Sequence, residues 1–294
     1  MTRHDLAPGL AVHAHASGEG GIFVNAFLVE TKEGVVAVDS TLTESESRAF
    51  RGQAKALRKP LLAVLVTHPH PDHVAGLTNL VGSDRTPIVA TRPVVELMRS
   101  LEEPKRKQWT PVYGSEWVQR WTYPNLVVAS GEKLTFDGVR YSVLDLGAGG
   151  DSDANSAWFI ESPRRTAFLG DMVFAGTHSY VADGHVLAWL ANLERLERLC
   201  REMELVFPGH GAPDAPARLI GRQREYLLRF VSEVKELSAG APRLSEETKR
   251  ELEARMTSFA PGAGLTFLIS LSADAVAREL NPGVNSRSQE EAAP

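Results

Sequence analysis

The chain alternates short apolar runs of strand length with amphipathic stretches of helical period. Residues 22–31 (IFVNAFLVET) and 34–40 (GVVAVDS) alternate apolar and polar positions and are rich in β-branched residues, which predicts two strands joined at Lys32, Glu33 and Gly34. Residues 44–59 predict a helix. LLAVLVT, 61–67, is a continuous apolar run of the kind a strand buried on both faces shows. Helix over 74–81, strand over 86–91 and helix over 94–109 follow, the last expected to be broken where Pro104 removes a backbone donor. Strand patterns return at 125–130, 133–147, 156–162 and 165–171. In 187–200, Trp189, Leu190, Leu193, Leu196 and Leu199 recur every three or four residues and mark the buried face of a helix. A strand over 203–211 and helices over 218–237 and 245–258 complete the pattern. This order predicts an α/β chain with two sheets sandwiched between helices. Residues 1–284 are expected to form one domain with C-terminal helices, and the polar stretch 285–294 a disordered tail.

The chemistry falls just past the strand ends. VTHPHPDHVAG, 66–76, holds three histidines and an aspartate within six positions. His68 and His70 each precede a proline, which pushes both toward extended backbone. Residues two apart on extended chain point the same way, so the two imidazoles can converge on one metal. Asp72 and His73 follow at the start of a helix and can aim at a second point. Alone, Asp72 would read as a helix cap and each histidine as a solvated loop residue. Asp171 and His210 follow later strands, each beside a glycine. With Asp72 and the three histidines they make six candidate ligands, too many for one catalytic zinc. They suit two cations sharing a bridging carboxylate at roughly 3.5–4 Å.

Charge and cysteine content narrow the class. A net charge of −5 and no basic stripe speak against a nucleic-acid partner. The single cysteine, Cys200, excludes an internal disulfide framework and suits a reducing compartment. No apolar run resembles a signal peptide or a membrane span, so a cytoplasmic protein with a small-molecule substrate and no membrane partner is expected.

HPHPDH, with AVDS at Asp39, LGD at Asp171 and PGHG at His210 in the same order, resembles the metallo-β-lactamase superfamily. The resemblance implies an αββα sandwich with metals at one edge of two mixed sheets. It implies His68 and His70 on a first metal, Asp72, His73 and His210 on a second, Asp171 bridging, and Asp39 bracing the ligand loop. One position departs from the pattern. The third histidine of the first metal is absent, and in GAGGDSDANSAWFI, 147–160, Asp151 stands in its place, with Asp153 a nearby competitor. A carboxylate there hardens the site and tilts it from zinc toward manganese or iron.

The tract 174–196 resembles the family's substrate-bordering loop, which makes His178, Tyr180 and His185 candidates for orienting substrate. His178 is also a candidate replacement for the missing histidine. Trp109, Tyr113, Trp117, Trp121 and Tyr123 read either as a packing face or as an apolar wall over the metals. The function expected is a hydrolase acting through a metal-bound hydroxide, with two divalent cations, most simply zinc. Asp72 is the candidate proton acceptor. The substrate expected is an ester, thioester or lactone, with a β-lactam open. An iron-dependent oxidoreductase or dioxygenase and a non-catalytic metal-binding protein are the competing readings. The C-terminal helices could serve a homodimer or pack on the sandwich.

Overall fold

A computed structural model describes residues 1–82, 85–162 and 164–282. The tail expected to be disordered lies outside these residues. Strands β1 (Thr2–Ala7), β2 (Leu10–Ala16), β3 (Asn25–Glu30) and β4 (Val35–Val38) form an antiparallel meander. Helix α1 (Glu44–Ala56) then crosses to β5 (Leu61–Leu65), which pairs parallel to β4. Two short helices, α2 (Pro71–Val74) and α3 (Leu77–Val81), lead to β6 (Ile88–Thr91), and α4 (Arg92–Tyr113) leads to β7 (Leu126–Val128). Together β1 to β7 make a seven-stranded sheet in chain order. The second sheet has five strands: β8 (Lys133–Phe136), β9 (Val139–Gly147), β10 (Asn155–Ser162), β11 (Thr166–Phe174) and β12 (Val206–His210). Its only parallel pair, β11 with β12, is joined through α5 (Val186–Cys200). Helices α6 (Pro216–Ser238), α7 (Glu246–Phe259) and α8 (Phe267–Leu280) follow.

The facing sheets bury Phe27, Leu65, Tyr141, Trp158, Phe168 and Phe207 between them. Helices α1, α3 and α4 cover the outer face of the first sheet through Phe50, Leu80 and Met98. Helices α5 to α8 cover the second through Trp189, Leu227, Met256 and Ile269. This is the expected αββα sandwich.

Four local expectations are corrected. The β1–β2 hairpin and α8 were not expected as elements. Helix α4 runs through both Pro104 and Pro111 to Tyr113. Each internal proline costs about 3 kcal/mol in an isolated helix, and here the burial of Val94, Val95 and Met98 anchors the first turns. On α5 the buried stripe is Val186, Trp189, Leu193, Leu196 and Cys200, whereas Leu199 is 41% exposed.

Candidate metal centre

The donors converge at the ends of β4, β5, β11 and β12. Asp39 follows β4 with φ at 58°, a conformation that side chains other than glycine rarely adopt. Its carboxylate accepts three hydrogen bonds, from Thr67 N (2.8 Å), Thr67 Oγ1 (2.7 Å) and His73 Nδ1 (2.9 Å). This network fixes two tautomers. The Thr67 hydroxyl gives its proton to Asp39, so it must accept from His68 Nδ1 at 3.0 Å. The lone pair of His68 is then on Nε2. His73 donates through Nδ1, so its neutral form likewise carries the lone pair on Nε2. Both Nε2 atoms are buried and make no hydrogen bond.

Around them stand two donor groups. His68, His70 and Asp151 form one, and Asp72, His73, Asp171 and His210 the other. Within each, the donor atoms lie within 4.8 Å of one another and all seven residues are buried. In the first group Asp151 Oδ2 is 2.7 Å from His70 Nδ1 and 3.5 Å from His68 Nε2. In the second, His73 Nε2 is 3.1 Å from Asp171 Oδ1, and His210 Nε2 is 3.2 Å from Asp171 Oδ2. Asp72 Oδ2 is 3.4 Å from both imidazoles. Asp171 also links the groups, its Oδ2 lying 4.0 Å from His68 Nε2. Glycine at 209 makes room for that carboxylate, because a Cβ there would sit 1.7 Å from Asp171 Oδ1.

The donor set fits divalent cations on electrostatic grounds. Asp39, Asp72, Asp151 and Asp171 are buried, and among the described residues their ion-pair partners are histidines alone. Buried carboxylates without a cation cost several kcal/mol each in this type of setting. One oxygen each of Asp151 and Asp171 lacks a hydrogen-bond partner as well. Bound cations would supply the missing positive charge.

Without them, protons serve. Burial alone would lower His70 and His210. The Asp151 carboxylate beside His70 outweighs that and holds its pKa up at about 10. Asp171 beside His210 holds that imidazole at about 9. A group raised in the folded state stabilises fully below its unfolded value near 6.5, and that contribution disappears as pH rises through the folded value. Stripped of metal, the protein is therefore expected to lose several degrees of melting temperature between about pH 7 and 9.5. Excess zinc should remove that slope, because metal displaces the same protons more easily as pH rises. Thermal melts of chelated and zinc-loaded protein across this range check it. A flat profile for the chelated protein would contradict the pairing described.

Of the three residues expected to face substrate, the structure brings Tyr180 alone to the centre. His178 is fully buried in the helical layer, its Nδ1 3.1 Å from the Tyr226 hydroxyl. It joins neither donor group and does not replace the absent histidine. His185 is at the N-terminal end of α5 and pairs at 2.7 Å with an exposed Asp153. Asp153 is thereby also removed from competition with Asp151. One residue at the centre was missed. Asp183 Oδ2 faces His70 Nε2 at 3.4 Å, and its Oδ1 accepts from the Tyr180 hydroxyl at 2.8 Å. It steadies His70 in the tautomer that leaves Nδ1 toward Asp151.

Five of the seven donors, His70, Asp72, Asp151, Asp171 and His210, line a cleft of about 830 Å³, open mouth included. Its walls are largely apolar. Trp109 and Tyr113 come from α4, Phe267, Leu268 and Leu271 from α8, with Ile22, Leu42 and Phe174 below. The aromatic tract thus divides. Trp117 and Trp121 lie beyond the end of α4 and pack in the core, whereas Trp109 and Tyr113 form the wall.

A layered αββα frame with seven buried histidine and aspartate donors beside an apolar cleft defines a class, the αββα-sandwich proteins with a candidate metal centre. The sequence profile described as the metallo-beta-lactamase superfamily matches residues 20–210, and the chain belongs to that superfamily. Solved structures share the fold. A β-lactamase domain protein from Burkholderia ambifaria superposes with a TM-score of 0.68 at 19% identity, over 95% of this chain and 89% of that one. A metallo-β-lactamase from Pontibacter korlensis gives 0.60 at 20% identity, over 77% and 98%. Among curated proteins, a hydroxyacylglutathione hydrolase of Prochlorococcus marinus is 23% identical over 150 residues. That match spans 51% of each chain, so this chain covers about half the length of its relative. No helix among the described residues is long and apolar enough to cross a membrane.

Proposed function

We propose that this protein hydrolyses a small ester, thioester or lactone with a centre of two divalent cations. His68, His70 and Asp151 would hold one cation, Asp72, His73 and His210 the other, and Asp171 would bridge. Cations bound there supply the Lewis acidity that activates water and polarises a carbonyl. The observation that carries this reading is the placement of both donor groups at the floor of one apolar cleft.

The chain's own residues then do the following. Asp39 and Asp183 hold His73 and His70 in fixed tautomers, so the donors need little rearrangement when the site fills. The apolar walls exclude water from all but the reacting face and receive the non-polar part of the substrate. Asp72 lies between His73 and His210 at the cleft floor, where it can accept a proton from the attacking water. Thioesters have added support from the hydroxyacylglutathione hydrolase relative. The apolar cleft walls suit a small molecule with an apolar body, and the absence of a basic stripe gives no support to a nucleic-acid substrate.

The test is a panel of p-nitrophenyl esters, acyl thioesters, homoserine lactones and a β-lactam. Each is assayed with protein stripped by chelator and then reloaded with zinc, manganese or iron(II). Metal-dependent turnover of at least one acyl substrate is expected, with two cations per chain by elemental analysis. Two irons with oxygen consumption and no hydrolysis would instead establish the oxidoreductase reading. One cation and no turnover would establish a binding protein.

A further inference from the structure

The cleft holds one charged group that the metal centre does not use. Lys105 lies on α4 four residues before Trp109 and eight before Tyr113, so all three share the helix face that lines the cleft. It is half-buried there, with its ammonium 6.0 Å from the centre of the Tyr180 ring. The next two cations on the helix behave differently. Arg106 and Lys107 turn outward and pair with Glu103. Lys105 has no carboxylate within ion-pair distance among the described residues. The nearby Asp183 attracts it at longer range but makes its direct contacts with Tyr180 and His70, which leaves the ammonium without a carboxylate in contact. Every other charged side chain lining the cleft belongs to the donor groups. Above the donors, the walls therefore present mainly apolar surface, the neutral Gln108 and a single cation.

We propose that Lys105 binds an anionic group, a carboxylate or sulfonate, on a substrate whose remaining bulk is apolar. The substrate class is then an amphiphilic acid bearing the scissile acyl bond. A neutral ligand filling this cleft would strip water from the ammonium and give nothing in return. An anion at the same point restores its partner. The assignment rests on the proposed cleft being the substrate site, but its binding half can be read without turnover.

The experiment uses the zinc-loaded protein as wild type, Lys105→Gln, Lys105→Arg and Lys107→Gln. Two fluorescent probes of one shape are compared, the anion anilinonaphthalene sulfonate and its uncharged counterpart phenylnaphthylamine. Lys105→Gln is expected to weaken the anion about tenfold and to leave the neutral probe within about twofold, the size expected for one charge-assisted contact in a partly dry site. Lys105→Arg should restore binding, and Lys107→Gln should match wild type. In parallel, KM for the anionic ester p-nitrophenyl glutarate should rise in Lys105→Gln while kcat holds, with p-nitrophenyl butyrate unaffected. Failure of wild type to bind the anion overturns the assignment. So does an equal change for both probes, or the same loss in Lys107→Gln. If neither ester is cleaved but the split between the probes persists, the hydrolytic reading falls and the anion site stands. If the esters are cleaved but the probes show no split, hydrolysis stands and the anion site falls.

Discussion

Replacing Asp171 by asparagine is expected to lower acyl hydrolysis on the order of a thousandfold, the rate equivalent of about 4 kcal/mol in the transition state. Asp171 is the one carboxylate whose oxygens reach imidazoles of both donor groups, His68 at 4.0 Å and His73 and His210 at 3.1 and 3.2 Å. The amide keeps one carbonyl oxygen but replaces the other acceptor with a donor and removes the charge. One bridging position then becomes an N–H facing a cation. Metal content should fall below two per chain in the same preparation, measured by elemental analysis alongside kcat/KM. The fold should survive, because the amide keeps the shape of the side chain, although loss of the Asp171–His210 pair should lower the melting temperature of the chelated variant at neutral pH. A cooperative melt of the chelated variant would show this. Full activity with two cations bound would remove Asp171 from the bridging role. A second route to the same position is Gly209→Ala, whose methyl group would occupy the space of Asp171 Oδ1. It should lower metal affinity while leaving every donor residue in the sequence unchanged.

The part of this site that could be read from local geometry is the His68–His73 cluster, whereas Asp39, Asp151, Asp171 and His210 gained their roles from the family resemblance. Extended backbone before Pro69 and Pro71 brings His68 and His70 onto one side. The continuous apolar run ending at Thr67 marks a central strand whose end must open on a site. Both statements need only neighbouring residues. Asp183 offers no such signal. It lies 113 residues from His70 along the chain, and the loop after β11 must fold back across the sandwich before the two meet. His178 carried a misleading signal for the same reason. It sits in the loop expected to border substrate, but it turns inward to Tyr226. Composition shows that a histidine is present, not which layer it faces.

Two elements were hidden, one by buried polar residues and one by exposed apolar ones. On β2, His13 and His15 occupy buried positions and break an apolar alternation. They are tolerated because Glu30 takes His13, and Gln53 and Glu46 of α1 take His15. On α8, Phe267 and Leu271 look misplaced as core residues and are about half exposed. Their place becomes clear with the cleft, which they wall on the side facing α4. The apolar residues that best report substrate class are therefore those that a search for core positions sets aside.

Replacing Asp151 separates the two donor groups most sharply. Asp151 is fully buried, reaches both His68 and His70 through Oδ2, and leaves Oδ1 without a hydrogen-bond partner. Asp151→Asn keeps the shape and removes the charge, so the first group retains two neutral imidazoles and an amide. Cation content is expected to drop to about one per chain, and hydrolysis by about a hundredfold or more, since the remaining cation must both activate water and polarise the carbonyl. Asp151→His supplies the imidazole that the superfamily pattern has at this position, and the cleft beside Asp151 gives the ring room. That variant should again hold two cations, but with a softer, less anionic donor set. Its activity ratio with zinc over manganese should exceed that of wild type several-fold, because exchanging carboxylate for imidazole favours zinc. Metal content and the zinc-to-manganese rate ratio, measured on all three proteins, decide the matter. If Asp151→Asn keeps two cations at wild-type affinity, the carboxylate is no ligand, and the first cation would have to rest on His68 and His70 with water alone.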